Sequence, residues 1–283
     1  MDQRIINLFD EYTHALLSRD EFIKRLARLT GSTAAALALL PLLEVNYAHA
    51  ATVQDDRLLT ERISYPGDRC TMNAYVARPK ENKKYGAVMV IHENRGLNPH
   101  IEDVTRRAAL EGFLAIAPDA LSVKGGTPTD ADTARGMFQQ LDAAQNLANF
   151  VKALDYLSTR ADYNGKAGCI GFCWGGGMAN ELAVNAPSLK AAIAFYGRQP
   201  KTEDVAKIKA KVQLHYAEMD ERINAGIGAY EEALKAAKVS YELFHYAGAQ
   251  HAFHNDTAPT RYNEAAAKLA WSRSMELFRK ELI

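Results

Sequence analysis

A cysteine between two glycines is the residue of this chain best suited to nucleophilic chemistry. The segment Gly171-Phe172-Cys173-Trp174-Gly175 follows a short apolar run and leads into a stretch of small residues. In a nucleophile elbow, a strand turns sharply into a helix, and its strained backbone leaves no room for a Cβ on either side of the raised residue. Gly171 and Gly175 supply that room, and a thiol reaches its nucleophilic form more readily than a hydroxyl. We therefore predict that Cys173 is a nucleophile; the alternative is a Gly-rich turn around a buried cysteine.

An acid and a histidine follow the cysteine, each just after a predicted strand. Asp220 follows the apolar run 212–216, and His251 follows the run 241–246. His251 could take the thiol proton and later protonate a leaving group or activate water, while Asp220 could orient the imidazole. Glu218 is the competing acid. Asp220 could instead be the N-cap of the next helix, and His251 could be a core histidine.

The loop after the third predicted strand offers groups that could stabilise an oxyanion. In elbow folds, the backbone N–H of the residue after the nucleophile acts together with an N–H from this loop. Those groups are the backbone N–H of Trp174 and of Asn94. Glu93 lies on the same loop, either beside the elbow or as a surface or salt-bridged residue near Arg95.

From residue 57 onward, predicted strands alternate with helices, as in a parallel sheet. Strands are expected at 58–65, 72–78, 86–91, 113–117, 167–170, 191–195, 212–216 and 241–246, and helices at 101–111, 132–160, 176–184, 225–237 and 262–282. Pro66-Gly67-Asp68 indicates that the first two strands form a hairpin or meander at an edge of the sheet. Most of the others are apolar without alternation, which is typical of strands buried on both faces. The pattern predicts an α/β fold with a doubly wound, mostly parallel sheet of about eight strands and helices on both faces. In such sheets, ligands bind at the carboxyl ends of the strands, where the three candidate catalytic residues lie.

Residues 1–50 differ from the rest of the chain. They combine helical apolar spacing up to Leu17, a charged helix at 21–29 and an apolar stretch at 33–43 that is too short to span a bilayer. Segment 18–24 is similar to a twin-arginine export motif whose second arginine is Asp20 here, and Ala48-His49-Ala50 is an A-x-A cleavage pattern. We expect a retained helical arm at 1–50, a catalytic domain at 51–283 and a cytoplasmic protein. The alternative is a cleaved leader and a periplasmic protein.

Composition narrows the classes of function. The 34 basic and 34 acidic residues cancel, so neither a nucleic-acid-binding surface nor an acidic tail is indicated. Three cysteines make an odd set, and the spacing of Cys169 and Cys173 suits a disulfide poorly, so we expect reduced thiols. We expect a monomer or small homo-oligomer that acts on a small molecule, with no cofactor, metal or membrane span.

These motifs resemble the dienelactone hydrolase (carboxymethylenebutenolidase) family of the α/β-hydrolase superfamily. The matching segments are 92–98, 117–119, 171–176, Asp220 and 251–253, and the resemblance covers about residues 57–283. It implies an α/β-hydrolase fold and hydrolysis of a lactone or activated carboxylic ester. It also implies a Cys-His-Asp triad with a covalent acyl-thioester, and a Glu93 that contacts the thiol and helps to deprotonate it when substrate arrives.

The chain departs from the family where the substrate carboxylate is bound. The family continues its histidine as His-Ser-Phe-x-Arg, whereas this chain reads His251-Ala252-Phe253-His254-Asn255. Replacing the guanidinium by an amide removes a charge-assisted hydrogen bond of roughly 1.5 to 3 kcal/mol. Arg95 and Arg198 could bind the substrate carboxylate in place of the missing arginine, or they could have a structural role. Phe253 and Asn255 remain candidate substrate contacts. The sequence therefore does not indicate dienelactone itself as the substrate, but it still indicates hydrolysis of a lactone or activated ester.

Two other functions compete with hydrolysis by a cysteine nucleophile. A thiol-redox or non-catalytic binding protein would use Cys169 and Cys173 as a switch pair, but Cys169 is expected inside the strand. A metal hydrolase would use His245, His251 and His254, but two of these lie three residues apart in a predicted loop without a third ligand at helical spacing.

Overall fold

One eight-stranded sheet forms the centre of the molecule, seen in a computed structural model that describes residues 1–14, 17–44 and 55–283. The strands are β1 Leu58–Pro66, β2 Thr71–Pro79, β3 Tyr85–Ile91, β4 Leu114–Pro118, β5 Tyr163–Phe172, β6 Ala191–Phe195, β7 Lys211–Ala217 and β8 Tyr241–Tyr246. Their order is β1-β2-β4-β3-β5-β6-β7-β8. The pairs β1–β2 and β2–β4 are antiparallel, and all other pairs are parallel. The predicted sheet, including its edge hairpin, is confirmed.

Helices cover both faces of this sheet. They are α4 Pro99–Leu110, α5 Ala131–Phe138, α6 Ala143–Ser158, α7 Trp174–Asn185, α8 Glu221–Asn224, α9 Ile227–Ala236 and α10 Glu264–Leu282. One core cluster packs α6, α7 and α9 against the sheet, and a second cluster packs α4 and α10 on the opposite face. Every residue of β3, β4 and β6 is buried, as the unbroken apolar runs predicted.

The single helix predicted over 132–160 is wrong, because the chain forms two helices there. The first, α5, ends at Phe138, and a turn precedes α6. The Asp142 carboxylate accepts a 2.7 Å hydrogen bond from the backbone N–H of Gln145, which caps α6 at its N-terminus. An Asp cap satisfies a helix-start N–H and so favours a new helix over continuation of the old one.

The N-terminal arm is helical and packs on the sheet domain. It consists of α1 Gln3–His14, α2 Arg19–Thr30 and α3 Thr33–Leu43, which share an apolar cluster in which the rings of Tyr12 and Phe22 stack 4.4 Å apart. Arg135 of α5 donates a 2.7 Å hydrogen bond to the Tyr12 carbonyl oxygen, and its guanidinium lies 4.2 Å from the Tyr12 ring centre. These contacts place the end of α1 over the carboxyl edge of the sheet.

Ala48-His49-Ala50 lies outside the described residues. Within the described ranges, no single helix is long and apolar enough to cross a membrane, and α2 and α3 reach the necessary length only as a pair bent by 110°.

Candidate active site

The backbone around Cys173 has the strained form of a nucleophile elbow. Cys173 follows β5 directly, precedes α7, and has φ 57° and ψ −113°. A Cβ on Gly171 would collide with the Gly175 carbonyl oxygen, and one on Gly175 would collide with that of Ile91. Only glycine fits these two positions, as the sequence predicted.

His251 and Asp220 form a buried pair beside the elbow. His251 Nδ1 lies 2.5 Å from Asp220 Oδ2, and the two side chains are only 5% and 2% exposed. The other carboxylate oxygen of Asp220 accepts from the Ile223 N–H at 3.3 Å, so Asp220 also caps α8. Glu218 is exposed and accepts from the Gly248 N–H at 2.7 Å. Asp220 can therefore orient His251 and cap α8 at the same time, whereas the hydrogen bond of the Glu218 carboxylate is to Gly248.

A second histidine, which the sequence analysis missed, contacts the candidate nucleophile. His14 Nε2, at the end of α1, lies 3.0 Å from Cys173 Sγ. The rings of His14 and His251 are 4.6 Å apart and nearly perpendicular. His251 Nε2 is buried and has no hydrogen-bond partner among the described residues. At rest, the thiol is thus paired with the arm rather than with His251.

A carboxylate holds the outer side of the His14 ring. His14 Nδ1 lies 3.1 Å from Asp10 Oδ1 and 2.9 Å from the Asp10 carbonyl oxygen. Burial acts to lower the pKa of His14, but Cys173 and Asp10 outweigh burial and raise the pKa above its ordinary value. Burial acts to raise the pKa of Asp10, but His251, His14 and Arg222 outweigh it and hold that pKa well below its ordinary value. Asp10 is therefore ionised at neutral pH and fixes the orientation of His14.

Glu93 is buried, and its two carboxylate oxygens differ in their hydrogen bonding. Its Oε2 accepts a 2.8 Å hydrogen bond from Asn255 Nδ2, whereas Oε1 has no partner among the described residues. Asn255 is itself held by Thr257, whose N–H and hydroxyl both donate to the amide oxygen. Burial lowers the pKa of nearby Arg261, and the charge of Glu93 opposes that shift. Asn255 therefore positions Glu93, a role that the sequence analysis did not assign to it.

The two candidate oxyanion groups are placed by structured neighbours. Trp174 is the first residue of α7, and its ring stacks on His92 at 5.4 Å. The Asn94 side chain donates a 2.7 Å hydrogen bond to the Thr13 carbonyl oxygen. The arm thereby holds the loop that carries Glu93 and Asn94.

A cavity of about 610 Å³ opens above the thiol. Its lining includes Cys173, His14, His251, Trp174, Met178 and Arg198. Of the other predicted substrate contacts, Arg95 is buried outside this lining, and Phe253 is fully buried among the rings of Phe195, Tyr196 and Tyr246. Among the four predicted substrate contacts Arg95, Arg198, Phe253 and Asn255, only Arg198 lines the cavity.

Cys169, His245 and His254, which the redox and metal-hydrolase alternatives would use, do not line the cavity at Cys173. Cys169 is buried within β5, and burial raises the pKa of its thiol to about 12, so it is poorly suited to a redox switch. His245 is exposed on β8, whereas His254 is buried against Phe172, and burial lowers the pKa of His254 to about 3.

Comparison with known proteins decides the family. The family described as "Dienelactone hydrolase family" matches residues 72–282, which include every residue of the elbow and of the His251–Asp220 pair. The chain belongs to the dienelactone hydrolase family. A protein named "Putative carboxymethylenebutenolidase" from Escherichia coli O157:H7 is 34% identical over 242 residues, which cover 80% of this chain and 89% of that protein. A dienelactone hydrolase structure from Klebsiella pneumoniae, titled as putative, is 31% identical with a TM-score of 0.72 and covers 79% of this chain and 99% of its own.

One similar protein also matches the N-terminal arm. The "Putative carboxymethylenebutenolidase" of Methylorubrum extorquens is 30% identical over 291 residues, which cover 96% of this chain and 98% of that protein. A match of that extent includes most of residues 1–50. Family membership confirms the α/β-hydrolase fold and makes the chain a hydrolase of the dienelactone hydrolase type.

Proposed function

We propose that the protein hydrolyses a small carboxylic ester or lactone through a Cys173-His251-Asp220 triad and an acyl-thioester on Cys173. The main support is the His251–Asp220 pair, because His251 Nε2 is buried near the elbow thiol and has no hydrogen-bond partner among the described residues. A ring nitrogen of His251 lies within 4.8 Å of Cys173 Sγ, a distance that a rotation of the thiol can close.

The proposed reaction has two halves. His251 Nε2 accepts the thiol proton as Sγ attacks the carbonyl carbon, and the backbone N–H groups of Trp174 and Asn94 stabilise the oxyanion. The C–O bond then breaks, and His251 protonates the departing oxygen, which in a lactone stays attached to the acyl group. Water, deprotonated by His251, attacks the thioester and releases the acid and the thiol. Asp220 holds the imidazole throughout.

Glu93 fits a role at the start of this reaction. A carboxylate beside a thiolate is a like-charge pair, so Glu93 would act best by accepting the thiol proton only when substrate turns the thiol away from His14 and by passing that proton on to His251 Nε2, which then protonates the departing oxygen. Glu93 Oε1, which has no partner within the described ranges, suits that role, and Asn255 holds the carboxylate through Oε2.

Arg198 is the residue that we propose to bind an anionic group of the substrate. It lines the cavity and makes no ion pair with any described residue. Phe138, Leu147 and Trp174 also line the cavity and suit an apolar portion of the substrate. We further propose that residues 51–283 carry catalysis and that the arm at 1–50 roofs the cavity.

Purified full-length protein should be assayed on aryl esters, lactones and cis- and trans-dienelactone. We expect Cys173→Ala to abolish turnover and Cys173→Ser to retain little, because the hydroxyl is harder to activate. Cys70→Ser changes a thiol outside the cavity and should retain full activity. Retained turnover in Cys173→Ala would contradict the proposal.

A further inference from the structure

Two imidazoles converge on one sulfur atom. His14, Cys173 and His251 place their ligand atoms within 4.8 Å of one another, and theirs is the only such group of three or more among the residues that the structure describes. His14 and His251 come from the arm and from the loop after β8, so the group exists only when α1 is docked.

Both imidazoles are oriented in the same way. Nδ1 of His14 lies 2.9 Å from the Asp10 carbonyl oxygen and 3.1 Å from the Asp10 carboxylate, and Nδ1 of His251 lies 2.5 Å from the Asp220 carboxylate. A carbonyl or carboxylate oxygen accepts a hydrogen bond from Nδ1–H, which leaves the lone pair of a neutral imidazole on Nε2. In its neutral form, each histidine therefore presents the lone pair of Nε2 toward Cys173.

One thiol proton cannot satisfy two lone pairs. His14 Nε2 takes the contact with Sγ at 3.0 Å, and His251 Nε2 remains buried without a partner within the described part of the chain. A buried polar atom without a partner is costly. A cation held by the thiolate and both nitrogens would satisfy all three atoms.

We propose that Cys173, His14 and His251 form a binding site for Zn²⁺, with the fourth position open to the cavity. Zn–N bonds of about 2.0 to 2.1 Å and Zn–S bonds of about 2.3 Å place tetrahedral ligand atoms roughly 3.3 to 3.6 Å apart. The present separations, from 3.0 Å to within 4.8 Å, require only small movements of side chains. Thiolate and imidazole ligands select Zn²⁺ over Mg²⁺ or Ca²⁺.

The surroundings match those of protein zinc sites. Zinc-bound histidines commonly donate their second N–H to a carboxylate or a backbone carbonyl, and here the Asp220 carboxylate faces His251 while the Asp10 carbonyl oxygen faces His14. Both carboxylates and the thiolate favour a divalent cation, although Arg222 and the nearby Arg261 oppose it. Cavities of about 610 Å³ and 490 Å³ both reach His14 and His251 and provide access.

Zinc binding would stop the proposed hydrolysis. The thiol loses its proton to solvent as the S–Zn bond forms, and the bound sulfur can no longer attack a carbonyl carbon. The same metal would tie α1 to the sheet domain. The site would thus make the enzyme reversibly sensitive to zinc.

The test is Zn²⁺ binding to the purified, metal-stripped full chain by competition with a chromophoric chelator. We expect one ion per chain, with Mg²⁺ unable to compete. Asp10→Asn should weaken binding about 10- to 100-fold, as loss of an outer-shell partner does, and His14→Ala should weaken it further. Co²⁺ should give a thiolate-to-metal charge-transfer band that Cys173→Ser abolishes.

His245→Ala, at an exposed histidine outside the group, is the matched control and should bind Zn²⁺ like the unaltered protein. Alkylation of Cys173 in the unaltered chain should also abolish binding, which separates loss of the ligand from misfolding of a variant. Unchanged Zn²⁺ affinity in both Asp10→Asn and His14→Ala, or no binding by the unaltered protein, would overturn the proposal. Because binding is measured without substrate, the result does not depend on the proposed hydrolase activity.

Discussion

Asp220→Asn isolates the orienting charge of the proposed triad. The carboxylate lies 2.5 Å from His251 Nδ1 in a site where neither side chain is more than 5% exposed, so solvent screens their interaction little. Asparagine has almost the same shape and caps a helix as well as aspartate does, so α8 should be preserved. What changes is the tautomer of His251 and the stability of the imidazolium.

The expected loss in turnover is about 10⁴-fold, as for other triads that lose this charge, which corresponds to about 5.4 kcal/mol of activation free energy. KM should change little, because Asp220 does not line the 610 Å³ cavity. Steady-state kinetics on one aryl ester would give both constants. Glu218→Gln is the matched control, since Glu218 is an exposed acid two residues away, and it should retain nearly full turnover. A large loss in Glu218→Gln with a small loss in Asp220→Asn would refute the assignment.

Two further substitutions test Glu93 and Arg198. Glu93→Gln preserves an acceptor for Asn255 but cannot take a proton, so we expect lower turnover. The free variant should react with iodoacetamide at least as fast as the unaltered protein, because a negative charge beside the thiol is removed. Unchanged turnover would remove Glu93 from the catalytic residues. Arg198→Gln should raise KM for carboxylate-bearing esters by roughly 10- to 150-fold, the equivalent of a charge-assisted hydrogen bond of about 1.5 to 3 kcal/mol, and should leave KM for neutral esters unchanged. Arg69→Gln, at an exposed arginine outside the cavity, is the control, and an equal effect on neutral and charged esters would show that Arg198 acts through structure instead.

Local patterns in the sequence were sufficient to predict the sheet and its elbow. Gly171 and Gly175 are required by close backbone approaches within a few residues, and such constraints are visible in a short segment. The strand-end positions of Cys173, Asp220 and His251 follow from the alternation of strands and helices. The split between α5 and α6 also had a local signal, the Asp142–Gln145 cap, which the apolar periodicity obscured.

His14 and Asn255 could not be assigned in the same way. His14 reaches the thiol because α1 docks through Tyr12 and Arg135, residues more than 100 positions apart whose contact no local pattern encodes. Asn255 lies where the sequence resemblance leads one to expect an arginine, and its partner, Glu93, is 162 residues away in sequence. Tertiary contacts therefore decide which polar residues surround the nucleophile.

The most direct measurement of the central claim is the covalent intermediate itself. An aryl ester with a slowly hydrolysed acyl group should be mixed with the protein, quenched in acid within the first turnover and analysed by peptide mass spectrometry. The account predicts an acyl group on the peptide that contains Cys173, formed together with a stoichiometric burst of the aryl alcohol, and absent in Cys173→Ala. A burst with the acyl group on another residue, or turnover by Cys173→Ala at the unaltered rate, would contradict it.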